Sequence, residues 1–231
     1  MYTHKGQRLT DMFLENGKAI LGWDGKNAGT FFKNMINKGL TGSFVCEDSS
    51  RIDKAVSELV GKKTSVSFYY NKAEAVKAAA SARAKNIVSY KPWNKDQEAL
   101  AVADAVVMIP PFPWGEDIVI LALRQARGLQ GLTIPFALQT ALTRSIYNLI
   151  AELPQREEKD CFIYDTILTK YWERKGPYLY PKITENKYDA FVKHCLDCNL
   201  VINPSYNEPS IVPVGADKGI FTKLKTKPFE D

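Results

Sequence analysis

The sequence predicts an α/β protein: a three-layer, mainly parallel, Rossmann-like sheet with a small C-terminal α+β appendage. Three observations carry this expectation. Short β-rich apolar runs alternate with segments of helical periodicity across residues 1–154. One run, Asp104 to Ile109, is continuously apolar after its first residue and stops at Pro110-Pro111-Phe112-Pro113, as a strand buried on both faces would. Beyond residue 154 the alternation gives way to helices, a Pro/Tyr-rich connector and two strand-like runs, so domains are expected at 1–154 and 155–231. A chain of 231 residues can bury the core that such a division needs.

The elements follow in order. Gly17 to Gly22 reads as a short strand, and Asn27 to Lys38 as a helix with Phe31, Phe32, Met35 and Ile36 at helical spacing. Ser43 to Cys46 is the next apolar run. Ser49 or Ser50 then caps a helix that places Ile52, Val56 and Leu59 on one face and stops at Gly61. Ser65 to Tyr69 is β-like, Lys72 to Lys85 is an alanine-rich helix, and Asn86 to Tyr90 is a strand closed by Pro92. After the Asp104–Ile109 strand come a helix from Glu116 to Ala126, a sixth strand from Gly131 to Ile134 and a long helix from Phe136 to Leu153. The C-terminal region offers helices over Tyr164–Lys175 and Asn186–Asn199 around a connector from Gly176 to Pro181. It ends in an antiparallel hairpin of Leu200–Ile202 with Ser210–Val214.

Composition sets the broad class. With 45% hydrophobic and 11% aromatic residues the chain is globular, and four cysteines (Cys46, Cys161, Cys195, Cys198) suit a reducing compartment. No basic-then-apolar leader is present and no apolar run approaches the roughly 20 residues of a membrane span, so a cytoplasmic protein is expected. The net charge of +5 comes from residues 1–100, which carry 16 Lys+Arg against 10 Asp+Glu. Those cations are scattered along helices, unlike the dense basic stripe of a nucleic-acid binder. Lys218, Lys223, Lys225 and Lys227 form a second basic stretch, read as an exposed tail or a charged edge strand. Two histidines, His4 and His194, cannot build a multi-histidine metal centre, and Cys195-Leu196-Asp197-Cys198 is a lone C-x-x-C read as two buried helical thiols. No metal is expected.

Ligands of open α/β sheets sit beyond the carboxyl ends of strands, so the loops there are the candidates. Gly22-Trp23-Asp24-Gly25-Lys26-Asn27-Ala28-Gly29 has the spacing G-x-x-G-x-x-x-G; glycines permit close backbone approach and helix N–H groups can hold a phosphate. Gly22, Asp24, Gly25, Lys26 and Gly29 are its candidate binding residues, with Glu47 and Asp48 placed to meet a ribose. A tight turn with a helix cap is the alternative for the same residues. The second loop supplies Asn71 and Lys72, where the alternative is an N-capping Asn71 beside a surface lysine. The third, Pro110 to Asp117, reads as a proline-fixed aromatic wall with Glu116 or Asp117 as its polar contact, the alternative being a Pro-broken connection with Asp117 near a helix start. No proton-transfer group is assigned.

Two segments resemble pyridoxal-phosphate-dependent aminotransferases of fold type I. Val66-Ser67-Phe68-Tyr69-Tyr70-Asn71-Lys72-Ala73-Glu74-Ala75, with Arg83 downstream, is similar to the family's strand, phosphate-binding turn and Glu-Ala helix. Tyr188 to Phe191, Asn199 to Pro204 and Pro209 to Pro213 resemble its small C-terminal domain. Together they cover about a quarter of the chain. The resemblance implies pyridoxal phosphate as a cofactor, with departures: the turn carries Lys72-Ala73 where the family has a small Gly-Thr pair, and residues 104–143 contain no lysine to serve as the Schiff base. The leading functional expectation is thus a protein that binds a small phosphorylated or nucleotide-like ligand at strand-end loops. The alternatives are a reduced aminotransferase-like protein and a non-catalytic interaction module, a homodimer or one docking through Pro110–Trp114 or Tyr178–Pro181.

Overall fold

The computed structural model describes residues 1–42, 50–94, 97–124, 129–162, 164–213, 215 and 217–230. They fall into two units: residues 18–155, and residues 1–17 together with 156–231. The opening segment, with strand β1 (Thr10–Asp11) and a left-handed turn over Leu14–Gly17, therefore groups with the chain's second half.

In the unit of residues 18–155, helices α1 (Ala28–Asn37) and α2 (Arg51–Val60) precede β2 (Ser65–Tyr69), α3 (Lys72–Ser81), β3 (Ile87–Tyr90), α4 (Gln97–Val102), β4 (Ala105–Met108), β5 (Val119–Leu123) and α5 (Phe136–Glu152). The sheet order is β2-β5-β4-β3. Strands β2 and β4 both run antiparallel to β5, and only β3 and β4 are parallel. The described sheet is therefore mixed rather than mainly parallel, and it holds four strands rather than six. The turnabout is made between β4 and β5, where the proline-rich segment is too short for the crossover of a dozen or more residues that a parallel return requires.

Alternation along β4 and β5 divides the core. Val106, Met108, Ile120 and Ala122 pack with Ala28, Val56, Leu138, Leu142 and Ile146 from α1, α2 and α5. Ala105, Val107, Val119, Leu121 and Leu123 face the other way, onto Ala75 and Ala79 of α3. Helices thus cover both faces. Helix α2 ends as its sequence dictates: Gly61 takes a left-handed φ of 68° and its N–H returns to the Glu58 carbonyl.

Three other expectations change. Gly17–Gly22 forms turns instead of a strand, with φ of 94° at Gly17 and 99° at Gly22, values that an L side chain in a strand does not adopt. The segment read as a helix from Glu116 contains β5, because six successive apolar residues from Ile118 to Leu123 are buried between two partners. Gly131–Ile134 is no strand, although the Leu132 N–H reaches the Phe68 carbonyl at 2.8 Å. The run Ser43–Cys46 and the cap Ser49 lie outside the described residues.

In the second unit, the short helix α6 (Lys159–Phe162) precedes the helix expected over Tyr164–Lys175, of which α7 (Asp165–Leu168) is a short first part and β6 (Trp172–Lys175) the end. The expected connector is β7 (Tyr178–Pro181), paired with β6 across Gly176, whose φ is 57°. Helix α8 (Glu185–Asp197) follows as its periodicity predicts. Strands β8 (Leu200–Val201) and β9 (Ser210–Ile211) do not form the expected hairpin: β8 pairs in parallel with β1, and β9 adds to β7. The basic tail is neither loose nor a strand. Lys218–Phe221 makes a helical turn into α9 (Thr222–Thr226), burying Phe221 and Leu224. Trp172, Tyr171, Tyr188 and Phe191 form the aromatic centre of this core, with Trp172 and Phe191 rings 5.1 Å apart.

Candidate functional site

The register places the carboxyl ends of β2, β3 and β4 on one edge of the sheet, since Tyr69 pairs with Val119, Tyr90 with Met108, and Met108 with Ile120. Two of the three candidate loops meet there. An ideal Cβ built on Gly25 would stand 2.9 Å from the Phe112 ring. Phe32 of α1 packs edge-on to Trp114 at 5.3 Å and near Phe112 at 6.4 Å. The Lys18 ammonium donates to the Trp114 carbonyl at 3.1 Å and to Asp117 at 3.0 Å. Asn71 and Lys72 stand at the same edge but start α3, the helix on the opposite face of the sheet.

The Gly22–Gly29 loop directs much of its polarity inward. Asp24 accepts from the Lys26 N–H at 3.0 Å. The Lys26 ammonium pairs with Glu152, and the buried Asn148 amide donates to the Gly25 carbonyl at 3.0 Å. Asn27 accepts from Arg144 Nε at 2.9 Å. Gly25 has φ 57° and Lys26 φ 58°, so two successive left-handed residues turn the chain into α1. Gly22 lies against Asp24 and Gly29 against the Asp24 carbonyl. In the second loop, Asn71 caps α3, accepting from the Glu74 N–H at 2.8 Å, and its amide donates back to the Glu74 carboxylate at 2.9 Å. Lys72 is half-buried in the first turn. Glu47 and Asp48 lie outside the described residues.

Sequence reasoning missed Lys18. Its side chain is only 8% exposed whereas its partner Asp117 is 75% exposed. A lone lysine before an apolar tripeptide gives no local signal of burial; only the returning Pro110–Asp117 loop creates its site. Glu116 is exposed. Tyr90, at the end of β3, has its phenol pushed up to about 12 by burial, which suits a packed hydroxyl and not a proton donor at neutral pH. Both histidines belong to the other unit, where His194 Nε2 meets the Lys227 carbonyl at 2.8 Å. The Cys195 thiol is driven upward first by burial and then by Cys198, and both cysteines are buried. Among the described residues no three acidic, thiol or imidazole groups converge on a metal position.

Pyridoxal phosphate in its imine-bound form needs a lysine amine. Residues 104–143 contain none, and Lys18, the one buried lysine among the described residues, is held by hydrogen bonds to Asp117 and the Trp114 carbonyl. These residues do not fit an imine-forming site. What the edge does provide is the first turn of α3, with Lys72 in it, on one face of the sheet and the Phe112 and Trp114 wall on the other.

No protein-family model matches the chain. An uncharacterized protein of Treponema pallidum is 24% identical over 266 aligned positions, which cover 92% of this chain and 86% of that protein. Among solved structures, acetylornithine aminotransferase from Elizabethkingia anophelis aligns with a TM-score of 0.65 at 12% identity, covering 97% of this chain and 89% of the other. Ornithine aminotransferase from Plasmodium yoelii gives 0.68 at 12% (97% and 90%), and a transaminase with pyridoxal phosphate bound gives 0.64 at 12% (97% and 86%). Among the described residues no helix is long and apolar enough to cross a membrane. At these identities the likeness is one of fold, and the fold of this chain is similar to that of the pyridoxal-phosphate-dependent aminotransferases.

Proposed function

We propose that the protein is a non-transaminating relative of that fold, a cytoplasmic binder of a small phosphorylated ligand at the carboxyl edge of the β2-β5-β4-β3 sheet. The observation that carries this reading is the turn from β2 into α3. Asn71 caps the helix at the Glu74 N–H, and the N-terminus of α3, with the positive end of its dipole and Lys72 in its first turn, stands at the carboxyl edge as an end that favours an anion. Lys26, Gly25 and their loop neighbours act as the support behind the Phe112–Trp114 wall, because their hydrogen bonds hold the turn to α5. No imine step is assigned, since no lysine in the β4–β5 connection is available to make one.

The test is calorimetric titration with inorganic phosphate, adenosine monophosphate and pyridoxal phosphate. Saturable binding of at least one, weakened about tenfold or more in Lys72→Glu with unchanged thermal stability, is the expected result. Borohydride treatment after pyridoxal phosphate should leave no single lysine stoichiometrically modified. Absence of binding by all three, or a single lysine fixed in full, overturns the reading.

A further inference from the structure

The α1–α5 pair carries a second feature, away from the carboxyl-edge loops. The two helices run antiparallel: Gly25 and Lys26 meet Asn148 and Glu152, while Asn27 and Phe31 meet Arg144. Further along, where α1 ends and α5 begins, they enclose a groove of about 520 Å³, within the roughly 300–1,000 Å³ typical of small-molecule sites. Phe31, Met35, Leu40, Phe136 and Tyr147 supply its apolar lining, and Lys38, Arg51 and Arg144 its charge. Among the described lining residues there is no carboxylate.

The guanidinium of Arg144 is held in place before any ligand arrives. Its Nε donates to Asn27 at 2.9 Å and its carbon sits 5.1 Å from the centre of the Phe31 ring. The Thr140 and Thr143 hydroxyls donate to the Phe136 and Gln139 carbonyls, at 2.9 and 2.8 Å, so their protons are already used within α5. The cationic side chains are then the strongest donors lining the groove. An apolar body beside the ordered Arg144 guanidinium and the Lys38 ammonium favours an amphipathic anion, because an anionic head gains charge-assisted hydrogen bonds from them and a cationic one is repelled.

We propose that this groove is a binding site for a small amphipathic anion, one carboxylate, sulfonate or phosphate head on an aryl or short alkyl body. Such a site is separate from the phosphate turn before α3 and does not depend on it.

The experiment uses the full chain with the aromatic sulfonate 1-anilinonaphthalene-8-sulfonate as fluorescent probe, competed by octanoate, octyl phosphate and octylammonium. One saturable probe molecule per chain is expected, displaced by the two anions and not by octylammonium. Octanoate against octyl phosphate then tells which head group is preferred. Arg144→Gln and Lys38→Glu should each weaken the probe about tenfold or more, whereas Lys72→Glu and Lys5→Glu should change it less than twofold. Lys38 is exposed, so its variant keeps the test valid if Arg144→Gln loosens the helix pair. Equal competition by octylammonium, or affinities within twofold of the original in both groove variants, overturns the proposal. So does a chain that is dimeric by sedimentation with a probe signal that octanoate leaves unchanged, because a second copy then fills the groove.

Discussion

Substituting Gly25 by alanine should destabilise the unit of residues 18–155 strongly for the smallest possible change in side chain. Two costs add. The native φ of 57° is left-handed, where a non-glycine residue loses about 1–3 kcal/mol. The new methyl would also stand 2.9 Å from the buried Phe112 ring, and forcing such a contact costs about 1–3 kcal/mol more. A total of about 2–6 kcal/mol corresponds to a fall in Tm of roughly 6–18 °C for a unit of this size. Circular dichroism during thermal and urea unfolding measures it. In a Phe112→Leu background the steric part should shrink, leaving roughly 1–3 kcal/mol from the backbone alone. A loss below about 1 kcal/mol for Gly25→Ala, or the same loss with Leu at 112, would refute the reasoning. The prediction also disqualifies Gly25 variants as probes of ligand binding, since they would perturb the fold first.

Two further outcomes are expected. Asp165 grips Arg174 with two hydrogen bonds of 2.6 and 2.8 Å, and the Arg174 side chain is only 10% exposed; Asp165→Ala should cost about 2–4 kcal/mol by urea denaturation, and an unchanged midpoint would show that solvent already screens the pair. Asp53 accepts the Val66 N–H at 2.9 Å, yet burial outweighs that bond and raises its pKa above 3.8. The ionised form is therefore disfavoured in the folded chain: its cost is absent below the unfolded pKa and develops as pH rises through the folded one. Asp53→Asn should match the original chain near pH 3 and exceed it at pH 7 by less than about 1 kcal/mol; a variant less stable at pH 7 contradicts the sign.

The elements legible from sequence were those with punctuation at both ends. Gly61 stops α2, Asn71 opens α3, Pro110 closes β4, and helical spacing without glycine or proline marks α5 and α8. The failures share a different property. The apolar run Ile118–Leu123 has no period, and periodicity cannot separate a buried strand from a buried helix; its neighbours in the sheet decide. Trp172–Lys175 carries no strand signal of its own, because the hairpin that holds it depends on β7, itself hidden in a proline- and tyrosine-rich connector. The reversal between β4 and β5 follows from length, since ten proline-rich residues favour a turn back over the longer crossover of a parallel pair. At the site, Asn71 was visible as a cap because capping is local. Lys18 was invisible because its carboxylate partner lies 99 residues away.

The grouping of residues 1–17 with the second half of the chain sets a timetable for synthesis. Asn16 accepts a hydrogen bond from Asn203, 187 residues on, and Thr10 aligns with Leu200. At roughly 5–20 residues per second, the opening segment waits some ten to forty seconds for its partners, while the unit of residues 18–155 can fold in the interval. Met12, wholly buried in the folded unit, lacks its core neighbours Leu200 and Ile202 throughout that wait. A ribosome stalled before residue 200 should therefore present a protease-sensitive N-terminus ahead of an already resistant middle.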